Sequence, residues 1–159
     1  MDTGSVVPFL QESIFTIVVF GVFLFWGMVK GRYALINVIL ALYLALLISV
    51  EFPYYRELMS GEGGSGAFAK ILVFVGFVIG GMMLFRKHIP GDDYEPAFQG
   101  LFKKILLALM ATILVMAYSF HALPVTEIIT PSSPIQSLFA PEGNFFWWLL
   151  APLVVLFFV

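Results

Sequence analysis

The sequence predicts an all-α protein: a polytopic bundle of transmembrane helices with four full spans, a short fifth, and short interfacial helices between them. Three observations carry that prediction. Of the 159 residues, 61% are hydrophobic and only 11% charged, where a soluble domain carries about a quarter charged residues. The mean hydropathy of +1.02 leaves too little polar surface to coat a globule in water. The apolar residues also come in blocks, and a helix crossing about 30 Å of hydrocarbon needs roughly 20 of them in a row. A water-soluble enzyme and a disordered chain are excluded together.

The first block, residues 14–29, has Thr16 as its sole polar member. The second, 33–50, is interrupted by Asn37 and Ser49, and the third, 67–85, has Lys70 near its start. The fourth, 105–120, contains Thr112 and Ser119. The fifth, 145–159, is short and contains Pro152. At 1.5 Å per residue it reaches about 22 Å, enough only in a thinned bilayer or with an extension through Asn144. Basic residues follow the first block instead of preceding it, so it reads as a retained span, not a cleaved signal. One domain, 1–159, holds all five.

Basic residues orient such a bundle. Lys30 and Arg32 lie between the first two spans, and Arg86, Lys87, Lys103 and Lys104 flank the connection between the third and fourth. Only Arg56 and Lys70 lie in or near the alternate loop. Six against two places the N-terminus outside and the C-terminus in the cytoplasm of a bacterial inner membrane. Gly31-Arg32 is so short that the first two spans must form a tight hairpin. Gly61 to Gly66 reads as a flexible tether. Pro96 followed by Phe98, Leu101 and Phe102 predicts an interfacial helix over 96–104, with Lys103 and Lys104 at the membrane edge. Ser133-Pro134 opens a second one over 133–140.

Chemistry is hard to find. The span centres lack Asp, Glu, Lys, Arg and His, which a pump or proton-coupled transporter needs there. No cysteine is present, and no metalloprotease or serine-hydrolase motif. The expectation is no catalytic residue, no metal and no cofactor. Net charge of −2 gives no basic field for nucleic acid. His88 with Asp92 and Asp93 groups ionisable side chains at the surface, although a turn with solvated charges is the favoured account of them. Asn37 is the most polar residue inside a span; hydrogen bonding to a neighbouring helix is the expected role, substrate binding the alternative. Gly76 and Gly80 form a GxxxG motif followed by Gly81, a flat face that lets another backbone approach. Internal packing against small residues such as Gly21, Ala108 or Thr112 is the favoured reading, and pairing with a second copy the other.

Three patterns carry a resemblance: Lys30-Gly31-Arg32 opening into residues 36–47, Ser133-Pro134-Ile135 with Leu138-Phe139, and Phe146-Trp147-Trp148-Leu149-Leu150-Ala151-Pro152. In these the chain resembles the small polytopic inner-membrane proteins of candidate-phyla bacteria. More distantly it is similar to the colicin V production protein family, whose basic segment after the first span is echoed by Lys30-Gly31-Arg32. That family's small-residue-rich second span is not matched. The resemblance implies an inner-membrane helical fold and brings no defined activity. The functional expectation is therefore a non-enzymatic envelope component, an assembly, anchoring or scaffold subunit. Its partners would be the lipid bilayer and other membrane proteins or a second copy. The alternative is a small oligomeric channel or transport subunit lined by Asn37, Thr16, Thr112 and Ser119.

Overall fold

The computed structural model describes residues 6–54, 65–89, 100–121 and 141–159. Among the described residues the protein is all-helical, with no strand: α1 (Val6–Lys30), α2 (Arg32–Glu51), α3 (Ser65–His88), α4 (Leu101–His121) and α5 (Glu142–Phe158). Three stretches, Arg32–Glu51, Gly66–His88 and Leu101–His121, are long and apolar enough to cross a membrane. Ile14–Lys30 and Gly143–Phe158 are shorter apolar helices.

The helix ends follow from local chemistry. Helix α1 reverses into α2 through one residue, Gly31, at φ 82 and ψ 173, a region essentially reserved for glycine. Gly27 and Leu35 then meet four residues to either side, and a Cβ on Gly27 would lie 2.5 Å from Leu35 Cδ1. The predicted tight hairpin is thus built on two glycines. Gly31→Ala is expected to cost about 1–2 kcal/mol through backbone strain. A lower midpoint in an SDS titration followed by tryptophan fluorescence would report it. Helix α2 stops at Glu51 because Pro53 pushes Phe52 out of the helical region, to φ −72 and ψ 110.

Contacts set the arrangement. Ala41 of α2 meets Gly81 of α3, and Phe52 meets Phe77 at 5.4 Å between ring centroids, so the two run antiparallel. Helices α4 and α5 are antiparallel along their whole length. Lys103 Nζ donates to the Val159 carbonyl at 3.1 Å at one end, and His121 stacks on Phe145 at 4.3 Å at the other. Helix α4 packs against α1, α2 and α5, while α3 packs chiefly on α2. Leu35, Ile39, Leu42, Leu107, Ala111, Leu114 and Tyr118 form the core between α2 and α4.

Polarity is inverted relative to a soluble protein. Asn37, Ser49, Lys104, Thr112 and Ser119 are buried, whereas Ile17, Phe25, Leu47, Met83, Phe146 and Phe157 face outward. Apolar surface on that scale is incompatible with water as the surrounding solvent.

Several boundaries differ from the sequence reading. Helix α1 begins eight residues before 14, at Val6. Residues 101–104 are not a separate interfacial helix but the first turn of α4, and Lys104 there is fully buried within the bundle. The reason is the central position of α4, with neighbours on most of its sides. Ser65 and Gly66, read as the end of the flexible tether, open α3 instead; residues 61–64, the remainder of 96–104 and the helix at 133–140 lie outside the described residues.

Candidate functional site

The interior polar groups come from α2 and α4, the two helices with the most neighbours. Three of them are satisfied by their own helix. Thr112 donates to the Ala108 carbonyl at 2.8 Å, Ser119 to Val115 at 2.8 Å and Ser49 to Leu46 at 2.9 Å. Such back-bonding meets the hydroxyl's need for a partner without a ligand. Thr16 Oγ1 lies 4.0 Å from Met116 Sδ.

Asn37 is 7% exposed and its Oδ1 has no hydrogen-bond partner. The hydrogen bond expected of Asn37 to a neighbouring helix is not made through this oxygen. The Tyr118 hydroxyl, also without a partner, is wholly buried near the opposite end. The two do not form one site. Asn37 lies five residues into α2, about 8 Å, and Tyr118 seventeen residues into α4, about 26 Å, so roughly 18 Å of depth separates them.

Tyr43 has a clear task that its sequence position did not advertise. Its hydroxyl donates to the Leu149 carbonyl of α5. Pro152 lies in this turn. Proline cannot donate to the carbonyl one turn earlier, and its ring crowds that turn. The donor that Pro152 withholds would have served Trp148, not Leu149, so the Tyr43 hydroxyl is an added cross-link from α2 to α5 in that disturbed turn. Tyr43→Phe is expected to lower stability by about 0.5–2 kcal/mol. An unchanged unfolding midpoint in detergent would remove this role.

The glycines divide. Gly81 is packed, with a built Cβ 3.1 Å from Ala41 Cβ and 3.2 Å from Ala41 Cα. Gly76 and Gly80 have nothing within 4 Å of a built Cβ, and neither has Gly21. Internal packing is therefore made by Gly81, and the GxxxG pair faces outward. Around that pair Phe68, Leu72, Val75, Ile79, Met83 and Leu84 are exposed too.

His88 ends α3 with Nδ1 2.9 Å from the Leu84 carbonyl; Asp92 and Asp93 lie outside the described residues. His121 bonds through Nδ1 to the Ala117 carbonyl at 3.3 Å, and its buried Nε2 has no partner. Its stacking on Phe145 was not foreseen, because no spacing rule links residues so far apart. Among the described residues no group of three or more His, Asp or Glu side chains could hold a metal ion. No family model, curated protein or solved structure matches the chain.

Proposed function

We propose that the protein is a non-enzymatic integral membrane component of the bacterial cell envelope, an assembly or anchoring subunit whose five helices all cross the bilayer. One observation carries the reading: the inward hydroxyls of Ser49, Thr112, Ser119 and Tyr43 are spent on the bundle's own backbone, while the circumference is apolar. Ser49, Thr112 and Ser119 hold their own helices' carbonyls, and Tyr43 holds α5. A protein that works on a solute keeps such groups available; one that holds position uses them internally.

The antiparallel match of α4 and α5 supports a fifth crossing. Both ends of α5 are level with those of α4. Its 17 residues reach about 26 Å, within what modest bilayer thinning accommodates. Helix α1, at 25 residues, reaches about 38 Å and crosses with tilt to spare. Positive residues at the Gly31 end orient that end to the cytoplasm. The channel alternative is weaker, since Thr112 and Ser119 are already bonded and Asn37 and Tyr118 are far apart.

The chain has no cysteine, so single-cysteine labelling reads topology directly. In intact cells, Glu51→Cys and Tyr54→Cys are expected to react with a membrane-impermeant maleimide, and Lys30→Cys, Lys87→Cys and Phe158→Cys only after lysis. The role itself is tested by gentle extraction of a tagged copy. A stoichiometric membrane partner is expected; a lone monomer under native conditions would count against an anchoring subunit.

A further inference from the structure

We propose that the outward face of α3 is a binding site for one anionic phospholipid, with an acyl chain lying along Gly76 and Gly80 and the phosphate held by Lys87 and Arg86. The inference rests on the membrane reading above. Gly76, Gly80, Met83 and Lys87 follow one another at intervals of four, three and four, which places them on a single helix face. The two glycines leave that face open, with nothing within 4 Å of either built Cβ. Leu72, Ile79 and Met83 rim it with exposed apolar side chains. A straight hydrocarbon chain fits such a track, because glycine removes the bulk that would hold it off the helix.

The track has a charged end. Arg86 and Lys87 are both exposed and stand in the last turn of α3. Their two positive charges outweigh the roughly −0.5 charge of the helix C-terminus, so the end of the track attracts an anion. Lys30 and Arg32 lie at the same end of the bundle, because α3 runs antiparallel to α2. Basic residues directly beneath lipid-facing apolar surface are the arrangement that captures an anionic headgroup at a cytoplasmic leaflet.

Charge also selects lipid over a second copy. Two copies inserted in the same orientation and paired through Gly76 and Gly80 form an isologous contact, each residue against its own counterpart. Lys87 would then be brought toward Lys87 and Arg86 toward Arg86, and like charges oppose that pairing. An anionic headgroup meets the same residues with the opposite sign.

The test uses the full chain, purified in mild detergent and exchanged into micelles doped with phosphatidylglycerol or phosphatidylcholine, with retained lipid read by native mass spectrometry. One phosphatidylglycerol per chain is expected, retained at least tenfold better than phosphatidylcholine. The double variant Arg86→Gln with Lys87→Gln is expected to lose that preference, and Gly80→Leu, which fills the track, to lower retention with the fold intact. Lys30→Gln is expected to leave it unchanged. Equal retention of the two lipids, an unaffected double variant, an equal loss in Lys30→Gln, or an α3–α3 dimer trapped through Ile79→Cys in place of lipid would each overturn the site. Carbonate-washed membranes separate the two levels. A chain that stays in the pellet but shows no preference sinks the lipid site alone, whereas a chain released to the supernatant takes the membrane reading down with it.

Discussion

Gly81→Leu is expected to unseat α3 from α2 and cost about 3 kcal/mol or more, while Gly80→Leu, one residue earlier, leaves the bundle at least as stable as before. The difference is what each side chain meets. At Gly81 the first added carbon already lies 3.1 Å from Ala41 Cβ and 3.2 Å from Ala41 Cα. Ala41 is fully buried, and a backbone atom cannot rotate away as a flexible side chain can. The helices must separate, which puts the cost at or beyond the upper end of ordinary overpacking. Since α3 packs chiefly on α2, few other contacts would hold it in place. At Gly80 nothing lies within 4 Å, so the substitution gains the roughly 1 kcal/mol by which leucine favours a helix over glycine. SDS titrations of the two variants beside the parent protein decide the matter. Equal midpoints for both would mean that α3 does not sit on α2 through Gly81.

That pair of neighbours also shows where sequence reading stops. Apart from the first eight residues of α1, the block lengths placed the helices within a few residues, because the hydrocarbon length requirement and the scarcity of charge act on composition alone. The end of α2 was within reach for the same reason, since Pro53 acts on the residue beside it. The GxxxG spacing found the right helix but not the right glycine. Gly76, Gly80 and Gly81 are equally small, and only the seat of α3 on Ala41 tells which of them is covered. The burial of Lys104 was missed on the same ground: it depends on how many helices surround α4, which no local window records. Asn37 was rightly read as buried, but the bond expected of its oxygen depends on a partner the neighbouring helices do not supply. Tyr43 went unnoticed because its partner, Leu149, lies 106 residues away.

Tyr118 gives the largest single-residue effect and, through two substitutions, separates packing from polarity. Its ring is fully buried in the core and meets Phe74 edge-on, at 5.9 Å between centroids and an interplanar angle of 79°. Tyr118→Ala removes that ring from a seam closed by α2 and α3 and is expected to cost about 3–5 kcal/mol as a cavity. Tyr118→Phe keeps the ring and deletes only the hydroxyl. In an ordinary buried tyrosine that deletion breaks a hydrogen bond and costs about 1 kcal/mol. Here the hydroxyl has no partner, and an unsatisfied buried donor carries a desolvation penalty of about 1–3 kcal/mol. The expected sign is therefore reversed, with Tyr118→Phe neutral or stabilising while Tyr118→Ala unfolds at markedly lower SDS. A clear loss of stability in Tyr118→Phe would show that the hydroxyl is engaged in the membrane, by water or by a bound molecule. The interior of the bundle would then be a binding cavity and not a packed core.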